Sequence, residues 1–155
     1  MENKKITIKN LSSLLDKELG VSDWFKVTQK IIDDFAKSTR DFQFIHIDPK
    51  RAKNETLFGG TIAHGFLSLS LLSKFASEVI YEVENTKMSI NYGFDKVRFI
   101  NPVKCGDEIR ARFELLDIKE RSKGQILIKY KVMIEIKNEV KPALIANWLI
   151  IQLYR

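Results

Sequence analysis

Asp41 and His46 stand five residues apart in the stretch Phe35-Ala36-Lys37-Ser38-Thr39-Arg40-Asp41-Phe42-Gln43-Phe44-Ile45-His46, which leaves an amphipathic segment and loses its period. In a loop, side chains at that spacing can converge on one water molecule. An imidazole titrates near neutrality, and a carboxylate beside it orients the ring or shares the water, so the pair suits general acid–base chemistry. Which of the two would take the proton is not set by residue type. A second segment, Gly59-Gly60-Thr61-Ile62-Ala63-His64-Gly65, carries a glycine-rich turn into the start of an apolar helix. The first turn of a helix presents N–H groups without internal partners and a partial positive charge. Aimed at a carbonyl oxygen, they stabilise the negative charge that develops when the adjacent carbon is activated. Gly65 has no side chain to block that approach, so its N–H is the candidate donor, with Gly60 in the turn that delivers it. His64 sits at a helix start among apolar neighbours and reads first as a hydrogen-bonded structural histidine, with substrate binding as the alternative.

These groups need a scaffold, and the hydrophobic period changes once along the chain to supply one. Leu11 to Leu19, closed by Gly20, reads as a short helix with a glycine stop. A second helix runs from Thr28, an N-cap, to about Thr39, with Ile31, Ile32, Phe35 and Ala36 as its apolar stripe. Asp48-Pro49 opens a turn or a short helix, since proline suits a first helical position. The third helix, about His64 to Tyr81, is apolar on most faces and must be wrapped by protein. Lys87–Asn91 and Lys96–Ile100 read as two strands separated by Tyr92-Gly93-Phe94-Asp95. Asp107–Ile118 and Gln125–Lys137 alternate apolar and polar, which predicts an antiparallel sheet covered on one side. Ala143–Tyr154 is apolar on both faces, so it is central or buried in a subunit contact. The sum is an α+β fold, a sheet wrapped around one long helix, in a single domain over residues 1–155.

Bulk properties narrow the function classes. Of 155 residues, 45% are apolar and 30% charged, a globular profile. The net charge of +6 is spread among acids along the C-terminal strands, without the basic block a nucleic-acid surface needs. Met1 to Ile8 contains no apolar signal region, and the apolar run from Ile62 to Ile80 is broken by His64, Lys74 and Glu78. A cytoplasmic chain with no membrane span is therefore expected. Cys105 is the only cysteine, no Cys/His cluster has zinc-ligand spacing, and no metal site is expected.

Three motifs in order carry a family resemblance. Phe35 to Ala52 resembles the signature of the MaoC-like and R-specific enoyl-CoA hydratases, a helix end leading into Gly-Asp-x-Asn-Pro-x-His. Phe58-Gly59-Gly60-Thr61-Ile62-Ala63-His64-Gly65 is similar to the segment that follows it in that family. Asn91-Tyr92-Gly93-Phe94-Asp95-Lys96-Val97-Arg98-Phe99 looks like the NodN-like branch. The resemblance implies a hot-dog fold that dimerises and an acyl thioester substrate on coenzyme A or an acyl carrier, with no other cofactor. It also implies hydration of a trans-2-enoyl thioester to the R-3-hydroxyacyl form, or the reverse. It puts catalysis on Asp41 and His46, thioester polarisation at Gly65, and a serine near the active site at Ser70. Lys96, Arg98 and Lys104 are candidate contacts for coenzyme A phosphates. The chain departs from the signature at Arg40, where the family has glycine, and at Gln43-Phe44, where it has Asn-Pro. Two other activities suit the same scaffold: an acyl thioesterase, which in this fold carries an acid on the central helix, and a non-catalytic acyl-thioester binding module. Glu78 is the one carboxylate on that helix, far from its start.

Overall fold

The computed structural model describes residues 4–154. In chain order the elements are β1 (Lys5–Ile6), α1 (Ile8–Ser12), β2 (Glu18–Val21), β3 (Phe25–Lys26), α2 (Gln29–Thr39), α3 (Phe44–Ile47) and α4 (Pro49–Glu55). There follow α5 (Gly65–Ser70), α6 (Leu72–Val79), β4 (Glu82–Val83), β5 (Thr86–Phe99), β6 (Glu108–Ser122), β7 (Gln125–Ile136) and β8 (Leu144–Tyr154). The main sheet has the order β2-β6-β7-β8-β5, all antiparallel, with β3 also paired to β6. β1 and β4 form a small parallel pair.

The alternation in β6 and β7 decides which way the sheet faces. Ile109, Ala111, Phe113 and Leu115 of β6 are fully buried, as are Ile128, Tyr130, Val132 and Ile134 of β7. Leu72, Phe75, Ala76 and Val79 of α6 pack into the same cluster. The outer face carries cross-strand charge pairs. Arg110 and Arg112 both reach Glu135, at 2.7 and 3.1 Å, and Lys131 meets Glu114 at 2.8 Å. β8 lies between β7 and β5, a central place in the sheet, and most of its residues are buried. This sheet around a central helix is the hot-dog fold. None of the helices among the described residues is long and apolar enough to cross a membrane.

Four local expectations are corrected. The segment from Leu11 to Leu19 is not one helix. Thr7 caps a single turn over Ile8–Ser12 by accepting the Asn10 N–H at 3.1 Å, and Glu18–Val21 then pairs with the edge of β6. Sheet pairing outweighs a short, weak helical period here. Gly20 is consequently no helix stop; it lies in β2 at φ 150°, where an added Cβ would come within 3.2 Å of Val79. The long third helix is interrupted at Leu71, just after Ser70, whose hydroxyl donates back to the Phe66 carbonyl at 2.7 Å. Such back-bonding bends helices. Finally, Tyr92–Asp95 is not a break between strands. β5 runs through it with register shifts at Asn91/Gly93 and Phe94/Lys96, bulges that absorb the extra residues.

Tyr130 projects from β7 into the core, and its hydroxyl is buried with no hydrogen-bond partner among the described residues. Burial pushes this phenol above its ordinary value of 10.0. Tyr130→Phe removes the uncompensated group, so chemical denaturation should show a gain of about 1 kcal/mol. A loss of stability would mean that the hydroxyl has a partner.

Candidate active site

The end of α2 delivers the first candidate group. Thr28 accepts the Ile31 N–H and starts the helix, which stops at Arg40 in the left-handed conformation, φ 63° and ψ 20°. This is the helix-end position that glycine favours, and an arginine held there costs roughly 1 kcal/mol. The chain reverses at that point and presents Asp41, whose side chain is 54% exposed. One carboxylate oxygen accepts the Gln43 N–H at 3.3 Å, while the Gln43 side chain makes no hydrogen bond among the described residues. Phe44, in place of the signature proline, lies under the Arg51 guanidinium at 4.2 Å from its ring centre. Asp48 then caps α4 by accepting the Arg51 N–H, with Pro49 in the first turn as expected.

His46, on the single turn of α3, is only 6% exposed. Its Nδ1 lies 2.7 Å from the Ile62 carbonyl, an acceptor, so Nδ1 carries the proton and the neutral ring keeps its lone pair on Nε2. Gln29, in the first turn of α2, holds the backbone of the same residue. Its Nε2 donates to the His46 carbonyl at 2.7 Å and to Asp33 at 2.8 Å, while its Oε1 accepts the Thr61 hydroxyl at 2.5 Å. Gln29 thus ties α2, α3 and the segment before α5 together. No sequence motif marks it, because its three partners are 4, 17 and 32 residues away.

His64 is buried at the start of α5, the structural setting its neighbours suggest. Its Nε2 donates to the Asp41 carbonyl at 3.1 Å and lies 3.9 Å from the Asp41 carboxylate. Its ring stacks on His46, with centroids 3.7 Å apart and planes 25° apart. His64 therefore positions both candidate catalytic residues, one by a hydrogen bond and one by its face. Ligand atoms of Asp41, His46 and His64 all lie within 4.8 Å of one another. Stacking sends the in-plane lone pairs of the two rings along nearly parallel planes, a poor fit to one shared ion. Burial holds His46 below the ordinary imidazole value of 6.5, and the neighbouring His64 pushes the same way; the Ile62 hydrogen bond and the Asp41 charge oppose them.

A cleft of about 260 Å³ opens beside His46, lined also by Gly65, Ser68, Phe99, Ile100 and Val103. The Phe99 ring lies so close to Gly65 that an added Cβ would sit 2.9 Å from it, so any side chain at this position would have to displace that ring. Two of the residues named from sequence lie elsewhere. Ser70 faces outward and is bound to its own helix, whereas Ser68, two residues earlier, lines the cleft. Gly60 lines a separate groove with Gln29, Thr61, Lys104 and Cys105. Lys96, Arg98 and Lys104 take part in no ion pair among the described residues, and Arg98 donates to the Val97 carbonyl. Glu78 accepts the Asp23 N–H at 2.9 Å and pairs with Lys74, so the helix carboxylate is engaged away from the cleft.

Comparisons with known proteins converge. A model of the MaoC like domain matches residues 10–136. Nodulation protein N of Rhizobium meliloti is 48% identical over 95% of this chain and 91% of its own length. The 3-hydroxyacyl-thioester dehydratase Z of Mycobacterium tuberculosis is 37% identical over 91% of this chain and 92% of its own. The solved (R)-hydratase from A. caviae involved in PHA biosynthesis superposes with a TM-score of 0.65 at 25% identity, covering 87% of this chain and 97% of that one.

The sign of the His46 perturbation is testable without any substrate. The His46 ring should titrate by NMR with a midpoint below 6.5. The unfolded chain then takes up that proton more readily than the folded one. Folding free energy should therefore fall as pH drops from about 6.5 toward the lowered midpoint, and should not change from this source above 6.5. A His46 midpoint above 6.5 would sink the assignment of a neutral ring.

Proposed function

This chain belongs to the MaoC-like domain family, and from that premise we propose that it reversibly hydrates a trans-2-enoyl thioester, on coenzyme A or an acyl carrier, to the (R)-3-hydroxyacyl form. The observation that carries this reading is the space between Asp41 and His46. A carboxylate oxygen and a ring nitrogen lie within 4.8 Å of each other, a span that one water bridges with two hydrogen bonds. His46 enters the reaction neutral, with Nδ1–H on the Ile62 carbonyl and the Nε2 lone pair free. Asp41 accepts one hydrogen bond from the water and orients it. The water passes its other proton to Nε2 as its oxygen bonds to the β-carbon. The electron pair of the double bond moves onto the thioester oxygen as an enolate, facing the Gly65 N–H. The α-carbon then takes the proton from the imidazolium, so one water is added and His46 returns to its starting state. Dehydration runs the same steps backwards. Engagement of Glu78 by Lys74 and Asp23 speaks against a thioesterase that would use it.

The ultraviolet absorbance of crotonyl-CoA tests this directly. Wild type should consume the enoyl signal, and Asp41→Asn and His46→Gln should each slow it at least roughly a hundredfold. Release of free thiol would mark a thioesterase instead, and no change with short or long enoyl-CoAs would leave the binding module.

A homodimer joined along β5 is part of the same proposal. β5 is the outer strand of the sheet, with one edge unpaired among the described residues, and it exposes Met88, Ile90, Tyr92 and Phe99. Phe66, 66% exposed, packs edge-on against Phe99 at the cleft. An apolar edge strand of this length is covered in a stable protein. Sedimentation should give a dimer for wild type and a monomer for Ile90→Lys; a monomeric wild type at micromolar concentration would overturn this part.

A further inference from the structure

We infer that Ser68, through its hydroxyl, contacts the substrate directly and donates a hydrogen bond to the thioester carbonyl oxygen, an inference that rests on the acyl-thioester reading above. The side chain is 3% exposed, and among the described residues its hydroxyl neither donates nor accepts a hydrogen bond. Nor is the oxygen sealed in the core. Its residue lines the cleft beside His46, whereas the sealed orphans among the described residues are Nδ1 of His64 and the Tyr130 hydroxyl. A polar group of this kind is costly to leave unmade, and a partner arriving in the cleft satisfies it. Two other serines of the same helical segment show the usual alternative. The Ser70 hydroxyl donates to the Phe66 carbonyl at 2.7 Å and that of Ser77 to the Lys74 carbonyl at 2.7 Å. Ser68 forgoes the same back-bond, although it too is helical, which leaves its proton free to point into the cleft.

The partner's chemistry follows from the neighbours. Ser68 stands three residues after Gly65, and residues at that spacing share one face of a helix. Both line the cleft, whose other walls are largely apolar: Ile62, Phe99, Ile100 and Val103. An oxygen held opposite Gly65 therefore meets the Ser68 hydroxyl in a low-dielectric setting, where a donor aimed at developing charge has most effect. The hydroxyl also donates while remaining neutral, so it adds nothing to the cost of keeping His46 uncharged beside it. Positions three and five after Gly65 differ in consequence: the serine that lies inside the site is the one nearer the helix start.

The decisive experiment is the infrared carbonyl stretch of bound butyryl-CoA, which has no double bond to hydrate and so reports on the contact even if turnover fails. The band should lie at lower frequency on wild type than in solution, and Ser68→Ala should move it back toward the free value. With crotonyl-CoA, Ser68→Ala should lower kcat roughly a hundredfold while KM changes little. Its melting temperature should hold or rise, because alanine suits the helix and an unpartnered hydroxyl is removed. A carbonyl band that is the same on wild type and Ser68→Ala overturns the inference, whatever the turnover does. Failure of wild type to bind butyryl-CoA overturns the thioester reading and the inference with it. Normal binding and an intact band shift without hydration of crotonyl-CoA overturns the hydratase reading alone.

Discussion

A sheet that is apolar on one face and charged on the other needs a cover, and in this chain the cover is a single broken helix. The inner rows of β6 and β7 present side chains with essentially no exposure, and the burial of each large one is worth roughly 1.5–3 kcal/mol. Nothing on the charged side rivals that. The pairs among Arg110, Arg112 and Glu135, or Lys131 and Glu114, are half-exposed, and each such pair contributes about 0–1 kcal/mol. The helix is thus seated by its apolar face, and its start comes to rest between Val103, Phe99 and the α3 turn. The cleft beside Gly65 is a consequence of where the cover begins.

The polar groups of the site are held by short bonds to the backbone rather than by charge. His46 is fixed at its ring by the Ile62 carbonyl and at its own carbonyl by Gln29. His64 then uses Nε2 on the Asp41 carbonyl and its face on the His46 ring. Burial and the stacked neighbour together hold His46 below the ordinary imidazole value. The conformational cost is local as well. Arg40 sits at φ 63°, next to Asp41, and strain of this kind persists where the surrounding contacts over-determine it. The hydrogen bond from His64 to the Asp41 carbonyl is one such contact. The glycine and Asn-Pro of the family signature are replaced here, and Arg40 itself takes the left-handed conformation that glycine favours.

Much of this was legible in residue types and their spacing. Period two in β6 and β7 announced a one-sided sheet, and the apolar run after Gly65 announced its cover. Thr28 and Asp48-Pro49 marked helix starts, because capping is a contact within three residues and local sequence carries it. Asp41 and His46 were visible as a pair for the same reason of short range, and the three motifs led to the family. Where local signals were weak or equivocal, the long-range partner won. Glu18–Val21 became a strand because β6 was there to pair with it, and Tyr92–Asp95 stayed in β5 because β8 continued past it.

Only the tertiary structure could decide which side of the central helix faces the cleft. Two serines two residues apart point some 200° apart on a helix, and a resemblance chooses between them by alignment alone. The fold turns Ser68 inward and Ser70 outward because Leu67, Leu72 and Phe75 must meet the sheet. Gln29 and the stacking of His64 on His46 were likewise beyond reach of the sequence, since both join residues 17 or more positions apart. Composition, period and short-range spacing thus determined that a sheet would close around a helix, with Asp41 and His46 as a candidate pair ahead of it. Which side chains line the cleft, and in what protonation state His46 is held, depended on burial, and burial is a property of the assembled chain.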